Sequence, residues 1–240
     1  MAYIEIRNLE KTYRKHKVIN NISFNVSKGD VLGLIGDNGA GKSTLMSMLV
    51  TLVKPSKGDI IYNEESIVAC PKIIRGNIGY VPQDIALYED LSGMDNIRFF
   101  AKSYHITKKD MQDKMDKAID IMGLETDVLN KKVKYLSGGM KRRINIGVAL
   151  LNNPDLIVMD EPTVGIDIVS KDYILGVINK LSTEGKTIIY ASHYLDEIEE
   201  LCNKVCILNK GNIIDFSSLD DIRKKDVTFR QYYLDINRDV

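Results

Sequence analysis

The chain has 240 residues, which is enough to bury a sizeable core as one large domain or as one domain with an inserted lobe. Its 33 basic residues equal its 33 acidic residues, and this balance argues against a broad polyanion-binding surface, so no nucleic-acid partner is expected. Its three cysteines are too few for a set of four zinc ligands, and their odd number does not suit a disulfide framework. We therefore expect reduced thiols and a cytoplasmic protein.

The amino-terminal residues 1–7 lack the charged and then apolar pattern of a signal peptide. No apolar run approaches the ~18 residues that a membrane-spanning helix requires. The sequence therefore predicts neither a signal peptide nor a transmembrane segment, and work at a membrane would require a partner that holds the chain there.

Roughly the first ninety residues are predicted to be rich in strands, because short apolar or alternating runs are separated by turn residues. The predicted strands cover residues 3–8, 19–26, 31–35, 59–62 and 77–81. The lysine-rich piece 11–17 is predicted to be a solvated loop that contains one aromatic residue, Tyr13.

A complete phosphate-binding loop, with the pattern G-x-x-x-x-G-K-S/T, lies between the apolar strand 31–35 and a predicted helix over 44–50. The residues predicted to bind ATP here are Gly36, Asp37, Asn38, Gly39, Ala40, Gly41, Lys42, Ser43 and Thr44. Strand, loop and helix point backbone N–H groups and a helix dipole at an anion. Lys42 can reach the outer phosphates, and the Ser43 hydroxyl can ligate Mg²⁺. The chain is therefore predicted to bind a nucleoside triphosphate.

Between about residues 91 and 130 the apolar positions follow a helical period. Thr107, with Asp110 three residues later, is typical of a helix start, and Gly123 is typical of its end. The residues that share one face of this helix are Met111, Met115, Ala118, Ile119 and Met122. Such a methionine stripe indicates packing rather than a metal or cofactor site.

From Gly138 onward, predicted helices and strands alternate, which favours a parallel sheet with crossover helices. The segments are helix 141–152, strand 156–160, helix 170–182, strand 187–191 and helix 195–201.

Two acidic residues, Asp160 and Glu161, end the apolar strand 156–160, where ligands of open α/β sheets bind. Asp160 is suited to hold Mg²⁺, and Glu161 is placed to accept a proton from an attacking water. The alternative interpretation is that Glu161 only caps the turn at Pro162.

Other polar residues follow strands or precede a helix. Ser137 and the two glycines after it precede the helix 141–152, where a serine cap and free N–H groups form an anion site, although such a loop is common. Gln83 and His193 each follow a strand, and such residues usually make only local hydrogen bonds. Asp167 closely follows the two acidic residues.

Taken in order, these motifs resemble the nucleotide-binding subunit of ATP-binding-cassette (ABC) transporters, from Tyr13 to about residue 220. The resemblance implies an α/β fold: a RecA-like P-loop NTPase core with an antiparallel β lobe and an inserted helical lobe at about 86–145. Residues 1–240 are then expected to form a single ABC ATPase domain, with a carboxy-terminal tail at about 221–240.

The resemblance also implies a role for each motif residue. It implies that Tyr13 stacks on adenine and that the catalytic residues are Gln83, Glu161 and His193. It implies that Mg²⁺ is held by Ser43, Gln83 and Asp160. It also implies that the signature consists of Ser137, Gly138 and Gly139, and that Asp167 is the D-loop aspartate. Met140 stands where the common signature has glutamine; the residues that would contact phosphate are intact, so no loss of activity is expected.

Family members pair two subunits head to tail, so the resemblance implies that Ser137 of one chain acts on the ATP held by Lys42 of a second copy or a paralogous subunit. It also implies a transmembrane permease that holds the chain at the cytoplasmic face of the cell membrane. The segment from 87–91 to Phe99 and Phe100 is the expected docking surface, although both phenylalanines could equally be buried.

Met140 followed by Lys-Arg-Arg, together with residues 191–202, resembles the export branch, whose members move drugs, peptides, lipids or polysaccharides. Three alternatives share the same motifs: an importer subunit, an ATPase that signals to a membrane partner without transport, and a soluble ATPase of translation or repair. The last would usually carry a second cassette, coiled coils or zinc modules, which this sequence lacks.

Overall fold

A computed structural model describes residues 2–238; residue 1 of the amino-terminal segment and residues 239–240 of the predicted tail lie outside the described part. The strands are β1 (Ile4–Tyr13), β2 (His16–Val26), β3 (Val31–Ile35), β4 (Lys57–Tyr62), β5 (Glu65–Ser66), β6 (Ile78–Val81), β7 (Leu156–Asp160), β8 (Thr187–Ala191), β9 (Lys204–Asn209) and β10 (Asn212–Ser218). The helices are α1 (Lys42–Leu49), α2 (Lys72–Arg75), α3 (Gly93–Ser103), α4 (Lys108–Met122), α5 (Thr126–Leu129), α6 (Gly138–Leu150), α7 (Ile168–Thr183), α8 (Leu195–Leu201), α9 (Leu219–Arg223) and α10 (Phe229–Arg238).

The larger sheet has the strand order β10-β9-β3-β8-β7-β6. Strand β3 pairs in parallel with β8 and β9, and β7 pairs in parallel with β6 and β8. Every residue of β3, β7 and β8 is buried, as expected for parallel strands covered on both faces. The predicted parallel sheet is therefore confirmed, whereas β9 and the antiparallel edge strand β10 were not predicted.

The smaller sheet has the order β2-β1-β4-β5 and is antiparallel, which confirms the expected β lobe. The predicted solvated loop over 11–17 is wrong, because β1 and β2 continue through it and form a hairpin in which Tyr13 pairs with His16. Arg14, at φ 54°, makes the turn between them. Lys15 and Lys17 are exposed in this hairpin, and the Lys17 ammonium lies 3.4 Å from Glu10, so charge does not oppose the backbone pairing.

A separate hydrophobic cluster lies within the helical part of the chain, which confirms an inserted helical lobe. Met115 and Met122 are buried in this cluster, so the methionine stripe packs as predicted. Helix α4 is capped by Thr107, whose Oγ1 accepts a 3.3 Å hydrogen bond from the Asp110 N–H, and it ends at Gly123 in the left-handed region. Helix α6 runs on past residue 145 and packs against β6, so it ties this lobe to the parallel sheet.

We expect Ile189→Ala to lower the free energy of unfolding by about 2–5 kcal/mol, because it would leave a cavity in the core. Ile189 lies in the middle of β8 with 1% of its surface exposed. Leu52→Ala is the matched control: Leu52 is 68% exposed, and the change is expected within about 0.5 kcal/mol of the wild type. Urea denaturation followed by circular dichroism measures both, and equal midpoints for the two variants would contradict this placement of the core.

Candidate functional site

Four parallel strands end at the same edge of the larger sheet and bring the predicted motifs together. Strand β3 leads into the glycine loop, β6 into Gln83, β7 into Glu161 and β8 into His193. The register of β7 and β8 places Asp160 opposite Ala191, and the Glu161 N–H donates a 3.0 Å hydrogen bond to the Ala191 carbonyl.

The loop between β3 and α1 borders a cavity of about 270 Å³. The lining residues are Val18, Asp37, Asn38, Gly39, Gly41, Lys42, Ser43, Thr44, Gln83 and Glu161. Gly36 has no room for a side chain, because a Cβ there would lie 2.2 Å from the Leu208 carbonyl oxygen. Gly41 caps α1 at φ 108°, a left-handed conformation that glycine adopts without strain. The loop therefore has the shape and the helix start of an anion site.

Lys42 is buried, and its ammonium group is held across the mouth of the loop. Its Nζ donates hydrogen bonds to the carbonyl oxygens of Gly36 at 2.5 Å and Asp37 at 3.3 Å. The same atom lies 3.9 Å from Oε1 of Glu161, which is also buried. A buried ammonium group at this position supplies the positive charge that an anionic ligand in the loop requires.

The three predicted catalytic residues meet at the carboxylate of Glu161. Its Oε2 accepts a 3.4 Å hydrogen bond from Gln83 Nε2 and lies 3.4 Å from Nδ1 of His193. Glu161 adopts a positive φ of 47°, and it also lines an adjoining cavity of about 470 Å³. The Glu161 side chain thus lines both cavities, whereas the turn that follows is closed by its backbone carbonyl, which accepts a 3.3 Å hydrogen bond from the Val164 N–H. Capping of that turn is therefore not the role of the side chain.

Asp160 and Ser43 provide oxygen atoms suited to Mg²⁺. Asp160 is buried, and its Oδ1 has no hydrogen-bond partner among the described residues. Burial raises the pKa of Asp160 above its usual range, while the Ser43 hydroxyl acts in the opposite direction. Within residues 2–238 no three His, Cys, Asp or Glu side chains are grouped to hold a metal. The donors fit Mg²⁺, which takes one or two protein ligands and completes its shell with phosphate oxygens and water.

The predicted signature residues lie elsewhere. Ser137 caps α6, and its Oγ accepts a 3.2 Å hydrogen bond from the Met140 N–H. Gly139 packs against the start of α7, where a Cβ on it would lie 2.0 Å from Ser170 Oγ and 2.9 Å from Asp167 Oδ2. Asp167 itself caps α7 by accepting a 2.8 Å hydrogen bond from the Ser170 N–H. The signature and Asp167 are therefore adjacent, but none of them lines either cavity.

Tyr13 is 45% exposed at the end of β1 and is not among the lining residues of the two cavities. It belongs to the same hairpin as Val18, which does line the phosphate-loop cavity. The Lys11 ammonium lies 4.8 Å from the centre of the Tyr13 ring. The structure thus leaves the Tyr13 ring accessible beside the loop.

Two residues of this region were not predicted from the sequence. Arg142, buried on α6, donates a 2.7 Å hydrogen bond to the Pro82 carbonyl and another to the Gln83 carbonyl, so it ties the signature helix to the segment that carries Gln83. Tyr233, on α10, lines the cavity of about 470 Å³ together with the glycine loop and His193. In the sequence, Arg142 is only one member of a basic run, and no local motif marks Tyr233.

The site and the fold agree with a comparison to known families, in which a model described as ABC transporter matches residues 19–164, more than half of the chain. The chain belongs to the ABC transporter family. Among the described residues of this ABC subunit, no helix combines the length and apolar character needed to cross a bilayer.

The curated relatives of this ABC subunit include proteins named for resistance and export. The chain is 40% identical over 219 residues to the linearmycin resistance ATP-binding protein LnrL of Bacillus subtilis (strain 168), covering 91% of this chain and 70% of the relative. It is 36% identical over 213 residues to the Nod factor export ATP-binding protein I of Cupriavidus metallidurans, covering 89% of this chain and 70% of that protein.

Solved structures show the same fold. A structure described as the ATP-binding subunit of an ABC transporter has a TM-score of 0.87 at 28% identity, covering 98% of this chain and 99% of the other. A dimeric post-hydrolysis structure of the ATP-binding cassette MJ0796, bound to ADP and Pi, has a TM-score of 0.82 at 25% identity, covering 90% of this chain and 98% of the other. The chain is therefore an ATPase with the ABC fold, the ATP-binding subunit of a transporter.

We expect Lys42→Ala to weaken ATP binding by about tenfold to a hundredfold, because it removes charge-assisted hydrogen bonds to phosphate. Lys72→Ala is the control, since Lys72 is an exposed lysine on the short helix α2. Titration calorimetry with ATP measures both. Wild-type affinity in Lys42→Ala would exclude this loop as the phosphate site.

Proposed function

We propose that this ATPase powers the export of a substrate through a separate transmembrane permease, and that ATP drives its dimerisation. The observation that supports the proposal most is the meeting of Gln83, His193 and Lys42 around the carboxylate of Glu161, which lines both cavities, while the signature lines neither. The permease would hold the subunit at the cytoplasmic face of the cell membrane. The relatives named for export and resistance favour export over import.

The loop 36–44 would hold the phosphates of ATP, with Lys42 against the outer ones and Tyr13 stacked on the adenine. Ser43, Gln83 and Asp160 would hold Mg²⁺, which when bound would neutralise charge on the phosphates. The geometry at Glu161 supports a general base, because its carboxylate lies between Gln83 and His193. Gln83 and His193 would orient the attacking water while Glu161 accepts its proton.

A second subunit would complete the site. One chain supplies donors on the loop side of the γ-phosphate, and its own Ser137, Gly138 and Gly139 do not border the cavity. A head-to-tail partner, either a second copy or a paralogous subunit, would bring its signature to the open face and exclude water. In this arrangement Asp167, which lies beside the signature, would also lie at the interface.

The helical lobe offers a surface for the permease. Tyr88 and Phe99 are 50% and 43% exposed, and their rings meet edge to face at 4.8 Å. Phe100 is half-buried and packs against the hydrophobic cluster of the lobe. The two phenylalanines therefore have different surroundings. Phe99 belongs to the proposed docking surface, together with Tyr88 and the exposed Leu91. Phe100 belongs to the core of the lobe.

The genes beside this one test the direction of transport. Export would be supported by an adjacent gene that encodes a permease with six predicted transmembrane helices, if that permease co-purifies with this chain. A neighbouring gene for a substrate-binding protein would favour import.

We expect Glu161→Gln to bind ATP with wild-type affinity but to hydrolyse it about 10²–10⁴ times more slowly, because the amide keeps the shape and removes the proton acceptor. With ATP and Mg²⁺ the variant should accumulate as a dimer in gel filtration. Glu184→Gln, at the exposed end of α7, serves as the control and should turn over normally. A monomeric Glu161→Gln that hydrolyses at full rate would exclude both the base and the ATP-driven dimer.

We expect a mixture of Lys42→Ala and Ser137→Arg proteins to recover activity that neither has alone. In a heterodimer both lesions fall on one composite site, so up to about half of the wild-type rate should return if one intact site turns over by itself. ATP-dependent dimerisation of the mixture is measured alongside the rate, since coupled sites would restore dimerisation without turnover. If neither turnover nor dimerisation returns in the mixture, while a linked dimer of wild type and Lys42→Ala does hydrolyse ATP, the signature acts on the ATP of its own chain.

A further inference from the structure

Glu197, on α8, is a fully buried acidic residue that has no part in the proposed mechanism. Its carboxylate accepts hydrogen bonds from Thr163 Oγ1 at 2.8 and 3.0 Å, from the Tyr190 hydroxyl at 2.7 Å and from the Ser192 hydroxyl at 2.7 Å. The Lys171 ammonium lies 2.8 Å from its Oε1. Both carboxylate oxygens are thus satisfied by groups from three separate parts of the chain, which is the condition under which a buried charge is tolerated.

Two of these partners belong to the loops that carry the proposed catalytic groups. Thr163 follows Glu161 by two residues, and Ser192 immediately precedes His193. Both hydroxyls donate to Glu197, so one carboxylate joins the loop after β7 to the loop after β8. Those loops also set the separation of 3.4 Å between Glu161 Oε2 and His193 Nδ1.

Lys171 connects Glu197 to helix α7, whose start packs against the signature residue Gly139. It lies one helical turn after Asp167 on α7, and its ammonium is 4.8 Å from the ring centre of Tyr194. The Tyr194 ring in turn lies 4.1 Å from the imidazole of His193. Glu197 therefore holds in place a lysine that packs on the Tyr194 ring, and that ring packs against His193.

The Tyr190 hydroxyl is a permanent donor in this network. Burial, and next the Glu197 carboxylate, raise the pKa of Tyr190 far above its usual range, so the phenol keeps its proton. Three neutral hydroxyls and one ammonium group are consequently the donors of this network, and the Glu197 carboxylate is its acceptor.

We propose that Glu197 is a positioning residue, which aligns the Glu161 carboxylate with the His193 imidazole by holding their two loops together. This inference rests on the hydrolytic roles proposed above for Glu161 and His193. A displacement of about 1 Å in a catalytic group can cost roughly a hundredfold in rate. Within residues 2–238 no hydrogen bond or ion pair joins the phosphate loop to Glu197, so ATP binding depends much less on Glu197.

Glu197→Gln tests the proposal, because the amide keeps the shape but turns N–H groups towards donors. We expect kcat to fall about tenfold to a hundredfold, while KM and Kd for ATP stay within about twofold. Glu200→Gln is the matched control: it makes the same change at an exposed residue of the same helix, and its kcat should be unchanged. A purely structural role for Glu197 would lower the melting temperature and leave kcat per folded molecule at the wild-type value.

The histidine signals in proton–carbon NMR spectra provide a second measurement that stability alone does not move. The chain has three histidines, His16, His105 and His193, and His193→Ala assigns the third signal. Glu197→Gln should shift the imidazole signal of His193 and leave those of His16 and His105 in place. Partial unfolding would instead weaken all three signals together.

Thr163→Val keeps the volume of the side chain and removes only the hydroxyl, so it tests the same connection if Glu197→Gln fails to fold. We expect a kcat loss of about threefold to tenfold with unchanged ATP affinity, as for one buried hydrogen bond. Wild-type kcat and an unshifted His193 signal in Thr163→Val, or in folded Glu197→Gln, would overturn the positioning role.

Glu161→Gln, measured in the same assay, separates this inference from the proposed function. If Glu161→Gln is inactive while the Glu197 and Thr163 variants behave as wild type, the hydrolytic mechanism stands and the positioning role is wrong. If Glu161→Gln hydrolyses at full rate, the proposed mechanism fails, and the His193 signal alone decides whether Glu197 holds the loops.

Discussion

Parallel pairing among β3, β6, β7 and β8 is the constraint on which the rest of this structure depends. Pairing in one direction sends the carboxyl ends of these strands to the same edge of the sheet, so residues from distant parts of the sequence meet there. The backbone hydrogen bond from Glu161 to Ala191 continues this pairing beyond β7. A slip in register would move Glu161 away from His193 and would also turn buried side chains to the opposite face.

Only a few charged side chains lie at this edge of the sheet, and they lie close to one another. Lys42 and Glu161 are buried within 3.9 Å of each other, and Asp160 is buried beside them with an oxygen that lacks a partner among the described residues. Buried charges interact strongly because water does not screen them. Under the proposed function, a phosphate group and its cation would replace these internal contacts.

Beyond the edge, single buried polar side chains connect one loop to another. Arg142 ties the signature helix to the Gln83 segment, and Glu197 ties the loop after β7 to the loop after β8. Both side chains satisfy backbone or hydroxyl groups that would otherwise be costly to bury. Such connections transmit the position of one element to the next, because neither partner can move without losing its hydrogen bond.

The sequence by itself determined the features that depend on neighbouring residues. The glycine loop, the buried strand before it, the helix after it and the cap of α4 at Thr107 each follow from local spacing, and the structure contains them close to the expected positions. Only the tertiary structure decided how distant groups meet: the distances around Glu161, the contacts of Arg142 and Glu197, and the hairpin at residues 11–17. The physical reason is that periodicity and capping are read from neighbours along the chain, whereas strand pairing and burial depend on residues far away in sequence.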